Sequence, residues 1–157
     1  MDNLELNELV YRNVQQNYLG VFSSDMLPCK ERLKKEGTFS LIVNLDRHYE
    51  AGSHFVSVYS TPKKILYFDS YGLPPFTKEL YKFMKDISKE REVQVNQRRI
   101  QSSQSILCGL FCAGFLFALD MKLSLTDYIS LFSNNYEHND DLVVYFILSY
   151  IKKLRKK

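Results

Sequence analysis

Cys108 stands at a position where a cysteine could act as a nucleophile. The segment 101–112 reads QSSQSILCGLFC, so Cys108 lies where a polar loop changes into an apolar stretch with the character of a buried helix. A helix N-terminus carries unpaired N–H groups and a partial positive charge, and both favour a thiolate over a thiol. Gly109 would let another part of the chain approach the backbone beside the sulfur. The alternative is that Cys108 is a small buried hydrophobic residue, as most free cysteines are.

The other two cysteines do not share this position. Cys112 lies one helical turn deeper, beyond the reach of the helix dipole, and we expect it to fill the core. Cys29 follows Pro28 in a loop and has no activating partner. No second pair of ligands has zinc spacing, so we expect no metal and no organic cofactor. An odd number of cysteines without disulfide spacing predicts a reducing, intracellular location.

A thiol nucleophile needs a base, and the chain has three histidines. His138 lies in a polar run and is expected to be solvated, whereas His48 is in a loop where either role is open. His54 opens a strand and Asp69 ends the next one, each seven residues from the turn at Thr61–Pro62. This equal spacing predicts that Asp69 lies nearly opposite His54 across the hairpin. A carboxylate in that position can fix the tautomer and orientation of the imidazole, as in a catalytic triad. Asp69 could instead serve only as a turn residue.

Acyl transfer also needs hydrogen-bond donors for the developing oxyanion. The backbone N–H of Cys108 is one candidate, and a side-chain amide of the preceding loop is the other. Gln101 and Gln104 both qualify, and their spacing alone does not choose between them.

The elements that would hold these groups follow from hydrophobic periodicity. The order α-β-β-β-α-β-α-α-α predicts an α+β fold, in which a small, mostly antiparallel sheet packs against helices. Segment 20–25 reads as a loop, and segment 30–36 as a solvated, charged stretch. The predicted helices cover 4–18, 76–89, 107–119, 124–132 and 140–154, and the predicted strands cover 38–45, 54–59, 65–69 and 92–96.

Composition limits the classes of function. The chain has 157 residues, 45% of them hydrophobic and 25% charged, which predicts one globular domain over 1–157. The net charge is +3, but five cations lie in the C-terminal segment 152–157, and the remaining 16 Lys and Arg face 18 Asp and Glu. A body so close to neutral does not coat nucleic acid as a whole, although the basic tail could contact DNA. The chain shows no secretory signal and no apolar run long enough for a bilayer, so we expect no membrane partner.

In chain order, His54, Asp69, Gln101 and Cys108 resemble the adenovirus-type maturation cysteine proteases, the adenain-like family. More distantly they resemble the SUMO-specific proteases of the same clan. The most specific piece is Gln-x6-Cys-Gly-Leu-Phe, and the strand–loop–histidine segment 42–54 is also similar. The resemblance implies that Cys108 is the nucleophile, His54 the general base and Asp69 the orienting acid. It also implies that Gln101, which holds the matching place, is the oxyanion donor.

The resemblance further implies the adenain/SUMO-protease fold and a cysteine endopeptidase acting on polypeptides. Its expected substrates are viral or virus-like structural precursors, such as capsid precursors, cut near small residues of the Gly-Gly type. If the protein is viral, the expected location is the host nucleus or cytoplasm, and the virion. Three features depart from the family: Phe55 replaces a usual Trp, Asp69 stands where adenain has Glu, and no cysteine between Cys29 and Cys108 is available for disulfide linkage to an activating peptide.

Two alternatives remain open from the sequence. One is a protease that removes ubiquitin-like or SUMO modifiers. The other is a non-catalytic DNA-binding module, which the basic segment 152–157 suggests. The oligomeric state is not predicted.

Overall fold

The computed structural model describes residues 1–48, 54–89 and 91–157. Within these ranges the chain forms one five-stranded sheet in the order β1-β2-β3-β4-β5, with helices on both faces. The strands are β1 (Tyr18–Ser23), β2 (Phe39–Asn44), β3 (Phe55–Ser60), β4 (Lys64–Phe68) and β5 (Glu92–Val95). The helices are α1 (Asn3–Asn13), α2 (Lys30–Lys34), α3 (Lys78–Ser88), α4 (Cys108–Asp120), α5 (Leu125–Ser130) and α6 (Tyr136–Arg155).

The predicted α+β class is confirmed, but the sheet is mixed where the sequence predicts a mostly antiparallel one. The central pairs β2–β3 and β3–β4 are antiparallel, whereas the outer pairs β1–β2 and β4–β5 are parallel. A parallel neighbour requires a crossover connection, and α2 and α3 provide these two crossovers. Since β1 and α2 were not expected from the sequence, the first parallel pair could not be anticipated.

The N-terminal region differs most from the prediction. The helix predicted over 4–18 ends at Asn13, where the hydroxyl of Tyr150 donates to the Asn13 carbonyl oxygen (2.9 Å). Segment 20–25, predicted as a loop, contains most of β1, with Gly20 at φ +131° inside the strand. Only pairing with β2 makes this half-buried segment a strand, because its own sequence has no alternation of polar and apolar residues.

The two faces of the sheet carry separate hydrophobic clusters. One cluster joins the sheet to α1, α4, α5 and α6, and the other joins it to α2 and α3. Helix α4 lies inside the first cluster, with Phe111, Phe115 and Phe117 fully buried. This position explains why its sequence is apolar on nearly all sides, and it confirms the buried helix predicted over 107–119.

The last helix begins four residues earlier than predicted. Asn135 caps it through a hydrogen bond from the His138 backbone N–H (3.3 Å), whereas Asn139 is buried and its side-chain amide donates to backbone carbonyl oxygens. The basic residues after Ile151 occupy the last turn of α6 and the two positions beyond it, where cations complement the helix dipole. Among the described residues, no helix combines the length and apolar character needed to cross a membrane.

Candidate active site

His54 and Asp69 form a buried pair at one end of the central strands. His54 Nε2 lies 2.8 Å from Asp69 Oδ1, and the two residues are 8% and 0% exposed. Because a carboxylate accepts, Nε2 carries the hydrogen and Nδ1 is the nitrogen left for another partner. Nδ1 is buried and makes no hydrogen bond to nitrogen or oxygen in the described part of the chain.

The electrostatic surroundings of His54 stabilise the imidazolium. Burial by itself lowers the pKa of His54, but the hydrogen bond to Asp69, the Cys108 side chain and the charges of both together raise the pKa from 6.5 to about 9. His54 therefore interacts with the Asp69 carboxylate and also with the Cys108 side chain. A protonated imidazole beside a thiolate is the arrangement used by cysteine nucleophiles.

Strand register brings His54 and Asp69 together. Strands β3 and β4 pair with Ser57 opposite Phe68, so continuing this register places Asp69 diagonally from His54 just beyond the paired residues. Asn96, directly after β5, holds the Asp69 backbone in place. Its Oδ1 accepts from the Asp69 N–H (3.0 Å), and its Nδ2 donates to the Asp69 carbonyl oxygen (2.7 Å).

A sharp turn directly after Asp69 depends on a glycine. Gly72 has φ +70°, and a Cβ at this position would lie 2.7 Å from the Gln97 carbonyl oxygen. The Gly72 N–H donates to the Asp69 carbonyl oxygen (2.8 Å), and the Tyr71 N–H donates to Asp69 Oδ1 (2.8 Å). The turn therefore orients the carboxylate that binds His54.

Cys108 is the first residue of α4 and is 7% exposed. The N-cap residue, Leu107, makes no side-chain hydrogen bond to the helix. Among the described residues, the first N–H groups of α4 therefore lack both an intrahelical partner and a side-chain cap, as in helix N-termini that bind anions. Gly109 lets α1 approach, because a Cβ there would lie 3.1 Å from Leu6 Cδ2.

The structure separates the two candidate glutamines. Gln101 is fully buried, and its side-chain oxygen accepts from the Ser70 hydroxyl. Its Nε2 donates to the Ser105 carbonyl oxygen (3.1 Å), which leaves the second amide hydrogen for another acceptor. Gln104 is exposed, with its backbone N–H bonded to Ser102 Oγ (3.2 Å). Only Gln101 is held rigidly enough to be a preorganised donor.

The remaining cysteines and histidines have different surroundings from those of Cys108 and His54. Cys112 is fully buried, as expected for a core residue, and burial raises its pKa well above the ordinary value. Cys29 is exposed at the N-cap of α2. His48 is exposed, with Nδ1 2.5 Å from Asp25 Oδ2, and His138 is exposed in the first turn of α6.

Sequence reasoning missed several residues that build the site. Tyr71 stacks on the His54 ring at 4.7 Å between centroids, and Asn96 and Ser70 hold Asp69 and Gln101. Tyr71 falls opposite His54 when the β3–β4 register is continued, but no local pattern reveals that register. Among the described residues, no group of three or more His, Cys, Asp or Glu side chains is arranged to hold a metal ion.

Comparison with known proteins bears on the fold. No protein-family model and no curated protein matches the chain. Among solved structures, it is similar to the central domain of the uncharacterized Lpg1148 protein from Legionella pneumophila, with a TM-score of 0.57 and 14% identity over 100% of this chain and 98% of that one. It is also similar to the ASFV pS273R protease, with a TM-score of 0.54 and 21% identity over 89% of this chain. ChlaDub1 from Chlamydia trachomatis gives a TM-score of 0.51 and 17% identity, over 96% of this chain and 77% of that one.

These similarities concern the fold, because all the identities are low. The chain spans about half the length of the ASFV protease, 51% of which is covered. The α+β fold, a mixed sheet with helices on both faces, is therefore shared with the ASFV pS273R protease and with ChlaDub1.

Proposed function

We propose that this protein is a cysteine endopeptidase with Cys108 as nucleophile, His54 as base and Asp69 as orienting acid. The observation that carries the proposal is the His54 ring. Its Nε2 donates to a fully buried carboxylate, its Nδ1 makes no hydrogen bond to nitrogen or oxygen among the described residues, and Cys108 contributes to its raised pKa. An imidazole held in this way accepts the thiol proton at Nδ1 and keeps it.

The proposed reaction begins from the thiolate–imidazolium pair. The Cys108 sulfur attacks the carbonyl carbon of the scissile peptide bond, and the carbonyl oxygen becomes an oxyanion. The Cys108 backbone N–H and the free Nε2 hydrogen of Gln101 donate to this oxygen. The His54 imidazolium then gives its Nδ1 proton to the leaving amine, and the C–N bond breaks to leave a thioester. Water, deprotonated by His54, then attacks the thioester carbonyl carbon. The C–S bond breaks, the sulfur leaves as a thiolate, and the thiolate–imidazolium pair is restored.

The proposed substrates are polypeptides cut near small residues. This part rests on the resemblance of the ordered His54, Asp69, Gln101 and Cys108 set to the adenain-like family, whose members process viral structural precursors at Gly-Gly-type sites. We therefore propose a maturation protease of viral or virus-like precursors, working inside the host cell or the virion. Cleavage of Gly-Gly-containing precursor peptides tests this substrate class.

Selective alkylation tests the thiolate directly. We expect iodoacetamide at about pH 6 to modify Cys108 at least about tenfold faster than the more exposed Cys29, as followed by mass spectrometry, because only a thiolate reacts readily. His54→Ala should remove this preference, whereas Cys29→Ala should not affect labelling of Cys108. Equally slow labelling of Cys29 and Cys108 in the wild type would contradict the proposal.

Peptide cleavage and a modifier probe complete the test. Cys108→Ala should abolish cleavage of a Gly-Gly peptide without unfolding the protein, and Cys112→Ser serves as a thiol control in the same helix. Persistent cleavage by Cys108→Ala would exclude the mechanism. Labelling of Cys108 by a ubiquitin-like aldehyde or vinyl sulfone would favour the alternative of a modifier-removing protease, and absence of labelling would favour a precursor protease.

A further inference from the structure

Arg99 lies beside the proposed catalytic groups but has no role in the mechanism above. Its guanidinium carbon is 5.4 Å from the centroid of the Tyr71 ring and 5.1 Å from that of the Tyr136 ring. Tyr71 in turn stacks on His54 at 4.7 Å. Arg99 is therefore one aromatic layer away from the imidazole, and the two rings limit its movement.

Most donors of Arg99 are unused. Its Nε donates to the Gln101 carbonyl oxygen (2.7 Å), but neither Nη atom has a hydrogen-bond or ion-pair partner among the described residues. The preceding residue shows the contrast. Arg98 donates from Nη1 to the Ile129 carbonyl oxygen (3.0 Å) and from Nη2 to that of Phe132 (2.7 Å), so it anchors the loop to the end of α5.

In the described part of the chain, no carboxylate forms an ion pair with the Arg99 guanidinium. Asp69 is bound to His54, and Asp140 Oδ1 accepts from the Ser105 hydroxyl (2.7 Å) without forming an ion pair with Arg99. A half-buried guanidinium whose two Nη atoms have no hydrogen-bond partner among residues 1–48, 54–89 and 91–157 matches the two oxygens of a carboxylate.

The placement also indicates which part of a substrate this carboxylate belongs to. In the proposed mechanism the imidazole protonates the leaving amine, so its ring lies on the leaving-group side of the sulfur. Tyr71 covers that ring, and Arg99 covers Tyr71. We infer that Arg99 forms a carboxylate-binding subsite for an Asp or Glu side chain in the first two residues after the scissile bond. This inference rests on the proposed function.

Binding to the Cys108→Ala protein tests the subsite without requiring turnover. Two pairs of fluorescent peptides share a Gly-Gly acyl part and carry either Glu or its isostere Gln at the first or the second position after it. In at least one of the two pairs, we expect the Glu peptide to bind at least about tenfold more tightly than the Gln peptide at low salt. The Glu/Gln affinity ratio should fall as salt is added. Fluorescence anisotropy gives both dissociation constants.

Variants in the same Cys108→Ala background assign the effect to Arg99. Arg99→Ala should bring the Glu/Gln affinity ratio close to one, and Arg99→Glu should reverse the preference. Arg32→Ala is the matched control, because Arg32 also lies over an aromatic ring (Phe22, 5.8 Å) but is distant in sequence from Arg99. This variant should keep the Glu/Gln affinity ratio of the Cys108→Ala protein. Circular dichroism establishes that each variant is folded.

The outcomes separate this inference from the proposed function. Three results would overturn the subsite. The Cys108→Ala protein could bind the Glu and Gln peptides equally, or it could bind neither of them. Alternatively, the Glu/Gln affinity ratio could be unchanged by Arg99→Ala. Wild-type cleavage of both peptides at equal rates would support the protease and refute the subsite. Selective binding of a Glu peptide that depends on Arg99, with no cleavage by the wild type, would support the subsite and refute the protease.

Discussion

The replacement Asp69→Asn tests the electrostatic basis of the site. Asparagine has nearly the shape of aspartate and keeps an oxygen that can accept from the Tyr71 N–H. It removes the negative charge that faces His54 Nε2 at 2.8 Å. Any change in the titration of His54 then reports on charge and not on the loss of packing.

The expected change is large because the pair is buried. The rise in the pKa of His54 from 6.5 to about 9 corresponds to about 3 kcal/mol in favour of the imidazolium. Burial lowers the pKa of His54 and is the same in the variant. Of the two groups that raise this pKa, Asp69 and Cys108, only Asp69 loses its charge in the variant. We therefore expect the pKa of His54 to fall by at least about one unit, or about 1.4 kcal/mol. The proposed thiolate–imidazolium pair would then persist to a lower maximum pH.

A proton NMR titration of the imidazole C–H signals measures this change without requiring activity. His54→Gln identifies the His54 signal among the three histidines. Asp25→Asn is the matched control, because Asp25 binds the exposed His48, and it should leave the His54 titration unchanged. A wild-type pKa for His54 below about 7, or a pKa that does not change in Asp69→Asn, would refute the reasoning.

Three further predictions concern the oxyanion donor, the turn and the pH dependence of stability. Gln101→Ala should lower kcat for Gly-Gly peptides by roughly 10²–10³-fold, and Gln104→Ala should have little effect in the same assay; equal effects would contradict the assignment. Gly72→Ala should lower the free energy of unfolding in urea by about 3 kcal/mol, against about 1 kcal/mol for Gly37→Ala, since both have positive φ but only Gly72 faces a clash. The imidazolium of His54 has a folded-state pKa above the unfolded value of 6.5, so its stabilisation is complete below pH 6.5 and is lost as the pH rises through about 9. The stability difference between wild type and His54→Gln should shrink by up to about 3 kcal/mol over that interval, and a difference that grows would show the opposite linkage.

Many elements could be predicted from the sequence because their signals are local. The run Phe39–Asn44 reads as a strand and forms a fully buried one, and the amphipathic pattern of α3 places Leu80, Phe83, Met84 and Ile87 in the core. The change from polar loop to apolar helix at Cys108 also lies within one short segment, so the position of the sulfur at a helix start follows from the sequence.

Other features needed the tertiary structure. The local sequence of Tyr18–Ser23 does not indicate a strand, and only parallel pairing with β2 makes it one. Gln101 and Gln104 are equivalent in the residue pattern, but contacts with Ser70 and Ser105 bury one and leave the other exposed. The physical reason is the same in both cases: partners distant along the chain supply the hydrogen bonds and the burial.

The sequence by itself determined the type of most elements and the order of His54, Asp69, Gln101 and Cys108 along the chain. Only the tertiary structure decided that the sheet is mixed, that His54 meets Asp69 diagonally across two strands, and that Tyr71 and Arg99 stack beside them. Periodicity records which side of an element is buried, whereas strand register and side-chain stacking depend on which distant segments meet.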